Sequence, residues 1–209
     1  PPIYETATFV LPEVGRDLGF DYTRSSNPTR QVLEDNLAAI DSGEYAVSFA
    51  SGMSAVDSCF KLLAAGDHIV CGDDVYGGVT RLLDNVTVQQ GIDVSYVDTT
   101  NADAVRSVIT PKTRMLWIET PTNPLLKVSD LEEMVKIARE NDILLGVDAT
   151  FATPVFLRPL EFGADIVMHS TTKYLAGHNQ IIGGVIVTNH QHVFEKMKYI
   201  QKTVGAVSS

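Results

Sequence analysis

Ile166-Val167-Met168-His169-Ser170-Thr171-Thr172-Lys173-Tyr174 is the stretch on which the reading of this chain turns. Its apolar start is short and uninterrupted, which suits a strand buried on both faces. Hydroxyls and an amine follow at the strand end, Ser170, Thr172 and Lys173. That trio suits a phosphorylated aldehyde, with hydroxyls for the phosphate and lysine for the carbonyl. A lysine forms a Schiff base only through its neutral amine, and the free side chain has a pKa of about 10.4. Partial burial of Lys173 is therefore expected, because burial favours the neutral form. Taken alone, a solvated lysine at a strand end fits the same letters.

Outward from this stretch, apolar runs of strand length alternate with amphipathic segments of helix length. The runs predict strands over 45–50, 69–71, 94–97, 115–119, 144–148, 166–169 and 185–188. Helices are expected over 53–65, 79–89, 102–109, 131–140 and 193–202. Another opens at Pro28 behind the cap Asn27, repeats Leu33, Leu37 and Ile40 at helical spacing, and closes at Gly43. Residues 1–20 carry three prolines and little periodicity, and read as an extended arm. Short apolar runs joined by helical crossovers argue an α/β fold, a mostly parallel sheet covered by helices on both faces. No repeat, low-complexity segment or linker interrupts it. The division expected is 1–42, arm and first helix, and 43–209, a large cofactor-binding domain.

Composition narrows the function. The chain has 209 residues, 44% hydrophobic and 20% charged, with a formal charge of −10 and no cluster of lysine or arginine. Nucleic-acid binding needs concentrated positive charge, so it is not expected. No apolar stretch approaches the ~20 residues of a membrane span. Cys59 and Cys71 lie in apolar runs and read as two buried thiols of a reducing cytosol.

In parallel sheets, ligands gather beyond the carboxyl ends of the strands. Five predicted strands send polar residues there: Ser51-Gly52, Asp73 with Tyr76, Asn123, Asp148, and Ser170 to Lys173. Ser51-Gly52-Met53-Ser54 is a turn into a helix, whose free N–H groups could hold an anion; an ordinary strand–helix turn has the same letters. It matches neither nucleotide fingerprint, G-x-x-x-x-G-K-[ST] or G-x-G-x-x-G, which weakens a nucleotide-binding reading. Asp148 ends an apolar run, where a carboxylate is costly unless it meets a cation such as a pyridinium N–H. A metal is the rival, but no second carboxylate or histidine stands at ligand spacing, and His190 and His192 read as surface residues at a helix start. Tyr76 could stack on a planar cofactor and move a proton, or simply pack on the surface. Tyr22 and Arg24 on the polar segment 21–30 could clamp a phosphate, and since the arm lies outside the sheet, the site it would serve is a neighbouring subunit's.

Taken in order, Tyr22-Thr23-Arg24 with Asn27-Pro28-Thr29, Ser51-Gly52-Met53, Asp74-Val75-Tyr76-Gly77-Gly78, Glu119-Thr120-Pro121-Thr122-Asn123-Pro124, Val147-Asp148, and Ser170 with Thr172-Lys173-Tyr174 resemble the pyridoxal-phosphate enzymes of cysteine and methionine metabolism. The resemblance covers essentially the whole chain. It implies the large domain of a fold-type I enzyme with pyridoxal 5'-phosphate as cofactor. Lys173 would hold the cofactor and shuttle protons, Asp148 would pair with the pyridine nitrogen, and Tyr76 would stack on the ring. Gly52, Met53, Ser170 and Thr172 would bind the phosphate, and Thr150 would join the cofactor contacts. Tyr22 and Arg24 would reach the phosphate of an adjacent subunit, and Asn123 would face the ring hydroxyl or the substrate. No metal is implied.

Three positions depart from the family pattern. Ala149 stands where an asparagine is usual, Thr171 where an alanine is usual, and Gln180 where an aspartate is usual. The resemblance also implies a smaller carboxy-terminal domain beyond Ser209, with an arginine that grips the substrate carboxylate. Within the family, Gly78 replaces the cysteine typical of methionine γ-lyases. Residues 74–78 and 203–207 look most like cystathionine γ-lyases, whereas 21–24 and 158–161 look equally like plant-type β-lyases. The expected activity is γ-elimination of cystathionine to cysteine, 2-oxobutanoate and ammonia, ahead of β-lyase and then γ-synthase. A catalytically inactive scaffold subunit is the non-enzyme alternative. A small sulfur amino acid as substrate, a cytoplasmic setting and a homotetramer of dimers with shared active sites complete the expectation.

Overall fold

The structure is a computed structural model that describes residues 2–208. Its strands are β1 (Tyr45–Phe49), β2 (His68–Gly72), β3 (Asp93–Val97), β4 (Thr113–Glu119), β5 (Leu144–Asp148), β6 (Ile166–His169) and β7 (Gly184–Thr188). They form a sheet of order β1-β7-β6-β5-β4-β2-β3. β7 runs antiparallel to β1 and β6, and the other neighbouring pairs are parallel. All seven expected strands are present, each within two residues of the predicted ends.

The helices are α1 (Pro28–Ile40), α2 (Gly52–Phe60), α3 (Gly77–Leu82), α4 (Ala102–Val108), α5 (Leu131–Glu140), α6 (Thr153–Phe156), α7 (Pro159–Phe162) and α8 (Gln191–Val204). Their starts follow from side-chain caps. Asn27 accepts from Thr29 and Arg30 N–H, Ser51 and Ser54 form a reciprocal capping box, and Asp130 accepts from Glu133 N–H. Several ends differ from expectation. The helix expected to reach residue 65 stops at Phe60, where Leu62 and Leu63 N–H turn back to carbonyls three residues earlier. The one expected over 79–89 is α-helical only to Leu82, then widens into a π turn over Leu83–Thr87 and tightens into a 3₁₀ turn over Val88–Gln90. After α1 the left-handed residue is Ser42, with φ 57°, rather than Gly43. Gly43 instead provides room, because a Cβ there would lie 2.3 Å from Val187 Cγ1. The short helices α6 and α7, each with a proline in its first two positions, carry too few residues for a periodic signal.

Apolar side chains fill both faces of the sheet. Phe49, Ile69, Cys71, Met115 and Trp117 face α2, α3 and α8. Val70, Leu116, Ile118, Leu145 and Val147 pack against α4 and α5, and Val167, Val185 and Val187 against α1 and α7. Cys59 and Cys71 are free and buried, and burial pushes both thiols up. Residues 2–27 contain no helix; the arm doubles back, with Thr8 bridged to Tyr22 and Phe9 N–H donating to Asp21 O. Among the described residues no helix is long and apolar enough to cross a membrane.

The direction in which strands are added to the sheet reverses between β2 and β4, which lie side by side and parallel. β2 leads outward to β3, while β4 leads the other way to β5 and β6. Loops leaving β2 and β4 therefore diverge, and a crevice opens at their carboxyl ends.

Candidate active site

A cavity of about 230 Å³ occupies that crevice. Gly52 and Met53 enter it from the start of α2, Tyr76 from the loop after β2, and Asn123 from the loop after β4. Asp148 and Thr150 come from the end of β5, and Ser170, Thr172 and Lys173 from the turn after β6. Nine of the residues singled out in the sequence thus share one cavity. Tyr22 and Arg24 do not reach it. Arg24 stacks on the Tyr22 ring at 5.3 Å and donates to the Lys202 carbonyl near the end of α8. Asp73 is also elsewhere, paired with Lys127 at 3.1 Å.

Asp148 is held from below. Its Oδ1 accepts from Thr150 N–H at 3.0 Å and Thr150 Oγ1 at 2.6 Å, and that same Thr150 oxygen accepts from Ser170 N–H at 2.8 Å. Thr150 thereby ties the acid to the Ser170 turn. Burial raises the Asp148 carboxyl above the usual carboxylate range, against the lowering effect of the two Thr150 hydrogen bonds.

In the sequence no second carboxylate or histidine stands at metal-ligand spacing from Asp148, but the sheet brings a carboxyl group beside it from another strand. Glu119 is the register partner of Asp148 on β4 and also lines the cavity. Burial first, then the charge of Asp148, pushes Glu119 up to about 8. Its signal was present in the sequence: like Asp148, it is an acid closing a buried apolar strand. Strand order, which only the fold supplies, makes the two neighbours. Among the described residues no group of three or more His, Cys, Asp or Glu could hold a metal. Apolar lining from Val56, Val79, Phe151, Met168 and Ile182 also escaped the sequence reading, since such residues look like ordinary core.

Lys173 corrects an expectation. It lines the cavity with Asp148 but is exposed rather than partly buried, on the turn that runs beyond the carboxyl end of β6. Thr172 differs too. Its hydroxyl donates to Gly183 O at 3.2 Å and accepts from Gly183 N–H at 3.0 Å, so its one proton is committed. Ser170 Oγ has no such tie among the described residues.

The departures from the family pattern fall in different surroundings. Ala149 points to the opposite face of the sheet, into the apolar cluster with Leu37 and Val167. One residue beyond the Asp148–Met168 pair, it lies beside His169, whose Nε2 meets Asp41 at 2.7 Å. His169 Nδ1 and Asp41 Oδ1 are buried without partners, and a methyl at 149 offers none. Gln180 is exposed. The Thr171 hydroxyl crowds Gly183, where a Cβ would lie 2.4 Å away.

Pyridoxal phosphate fits this donor set. Ser51 caps Ser54 N–H, which leaves the amides of Gly52 and Met53 at the start of α2 without protein acceptors among the described residues. A Cβ at Gly52 would lie 3.0 Å from Ser170 Oγ, so the bare helix start and that hydroxyl form one cradle for an anion. Asp148, buried at the other end with no cation bonded to it among the described residues, suits a protonated ring nitrogen.

Fold and cavity together define an α/β protein with a cleft of mixed polar and apolar lining beyond the carboxyl edge of a mostly parallel sheet. A family model described as Cys/Met metabolism PLP-dependent enzyme matches residues 1–209, and the chain belongs to that family. It is 46% identical over 206 residues to a probable cystathionine gamma-synthase of Herpetosiphon aurantiacus, covering 99% of this chain and 65% of that protein. It is 47% identical over 210 residues to a cystathionine beta-lyase of Coxiella burnetii, covering 100% of this chain and 54% of that protein. The crystal structure of cystathionine gamma-lyase from Lactobacillus plantarum complexed with L-serine superimposes with a TM-score of 0.97 at 42% identity, over 100% of this chain and 54% of that one. The chain thus spans between about half and two thirds of the length of these relatives.

Proposed function

We propose that the protein of which this chain is part is a pyridoxal-phosphate-dependent carbon–sulfur lyase that cleaves cystathionine by γ-elimination to cysteine, 2-oxobutanoate and ammonia. The observation that carries the reading is the convergence of Lys173, Asp148 and Tyr76 on one cavity beside a free helix start. Residues 1–42 would serve as arm and first helix and 43–209 as the cofactor domain of a cytoplasmic homotetramer.

In this reading Lys173 would hold the cofactor, the Gly52 and Met53 amides with Ser170 would bind its phosphate, Thr172 would join them by exchanging its bond to Gly183 O for one to the phosphate, and Tyr76 would cover the ring. When bound, pyridoxal phosphate supplies an electron sink for charge developing at the substrate α-carbon. Asp148, fixed by Thr150, would pair with the ring nitrogen, whose positive charge would offset the burial that otherwise favours the neutral acid. Lys173 Nζ removes the α-proton and then relays a proton at the β-carbon, which γ-elimination requires. Tyr76 Oη, at the cavity mouth, donates a proton to the departing sulfur. Asn123 faces the ring hydroxyl or the substrate, and Tyr22 with Arg24 serve the phosphate of an adjacent subunit. β-Elimination and γ-replacement draw on the same groups, which is why relatives bearing all three names share this scaffold.

The test uses the full-length protein. Incubated with cofactor, it should show a near-visible band that borohydride removes and that Lys173→Ala lacks. With cystathionine it should release cysteine and 2-oxobutanoate; homocysteine and pyruvate would assign the β-lyase instead. A protein that stays colourless would favour the scaffold alternative.

A further inference from the structure

Glu119 has no part in the roles assigned above, yet it ties the loop carrying Tyr76 to the end of β4. It closes β4, is 6% exposed, and its Oε2 accepts from Tyr76 N–H at 2.7 Å. The backbone amide of Asn123 turns toward the same carboxylate. The connection is returned from the other loop: Asp74, two residues before Tyr76, accepts from Leu125 N–H at 3.1 Å and from Thr122 Oγ1. Lys127 adds a bridge between Asp73 at 3.1 Å and Asp98 at 3.2 Å. Each loop thus reaches a carboxylate into the backbone of its neighbour.

Tyr76 depends on that connection. Its side chain is 48% exposed and makes no capping bond to α3. Its ring lies over Gly78 beside Met53: a Cβ on Gly78 would fall 2.5 Å from Tyr76 Cε1 and 2.8 Å from Met53 Sδ. Where the ring sits is therefore set by the backbone at residue 76, and the hydrogen bond to Glu119 holds that backbone.

We propose that Glu119 is a positioning residue, whose carboxyl group anchors the Tyr76 backbone and, with Asp74, locks the loop carrying Tyr76 to the loop carrying Asn123. Its bearing on the reaction rests on the function proposed above; the lock itself is a property of this chain. Burial beside Asp148 pushes Glu119 up to about 8, so an uncharged carboxamide is its nearest mimic near neutrality. Glu119→Gln keeps the shape and an oxygen for Tyr76 N–H. Glu119→Met keeps the bulk without an acceptor, and Glu119→Ala removes both.

Full-length protein carrying each variant tests this. In the cofactor-free state, hydrogen exchange at the Tyr76 amide should stay slow in Glu119→Gln and quicken at least about fivefold in Glu119→Met and Glu119→Ala, while core amides of β4 stay protected. In the loaded protein, circular dichroism of the cofactor band should persist in Glu119→Gln and shrink in the other two, with kcat falling more than KM rises. Unchanged Tyr76 exchange in Glu119→Met overturns the proposal, as does a Glu119→Gln protein no better than Glu119→Met. If Glu119→Ala fails to fold, the Gln and Met pair still decides. A wild-type protein that takes up no cofactor would sink the proposed function, while the exchange measurement would still judge the lock.

Discussion

The two acids at the heart of the cavity are neighbours across the sheet, and the burial of Glu119 has a consequence for stability. Glu119 is pushed from 4.5 up to about 8, chiefly by burial, and the charges facing it come from Asp148 and Asp74. In the cofactor-free protein the folded state keeps a proton there that the unfolded chain releases above about pH 4.5. Folding therefore binds a proton between about pH 4.5 and about pH 8, and this group makes stability decline as pH rises through that window. Urea midpoints of cofactor-free protein, compared at about pH 5 and about pH 8, should show a smaller decline in Glu119→Gln than in wild type. Equal declines would assign the pH dependence to other groups. At this scale the sequence was most informative where chemistry and position coincided. Asp148 declared itself as a charge ending an apolar strand. Glu119 carried the same mark but stood out less, because its significance comes from a neighbour 29 positions away in the chain and adjacent in the sheet. Neither the engaged hydroxyl of Thr172 nor the exposure of Lys173 could be read from letters, since both depend on where Gly183 and the turn after β6 lie.

Among the elements, strands were more legible than helix ends. A run such as Leu144–Asp148 is buried on both faces, so its composition alone marks it. Helix ends depend on competition among local hydrogen bonds, as the π and 3₁₀ turns after α3 show. Close approach between elements was hidden altogether. Gly184 opens β7 beneath the start of α2, and a Cβ there would lie 2.4 Å from Ser51 O and 2.8 Å from Gly52 Cα. Both contacts are backbone, which cannot swing aside. Gly184→Ala should cost about 1–3 kcal/mol in denaturant unfolding. In full-length protein it should also weaken cofactor uptake by shifting the Gly52 and Met53 amides. Unaltered cofactor affinity would detach those amides from phosphate binding.

For the whole molecule, the arm is the feature that the sheet leaves unexplained. Val10, Val14 and Leu18 stand largely in solvent, while Tyr22 and Arg24 lie outside the cavity. An arm that holds several large apolar side chains in solvent suits a surface that a partner covers. Deleting residues 1–20 from the full-length protein should reduce its mass by light scattering, and the cofactor should be held less tightly. An unchanged mass would leave the arm without a role in assembly.

The sequence by itself determined the alternation of buried strands and amphipathic helices, the family, and most side chains of the cavity, because hydrophobic period and strand-end polarity are written locally. Only the tertiary structure decided that β4 lies beside β5, that Glu119 therefore faces the same cavity as Asp148, and that two loops distant in the chain hold each other's backbone. Strand order and the hydrogen bonds it permits arise from packing across the sheet, and no local run of residues encodes them.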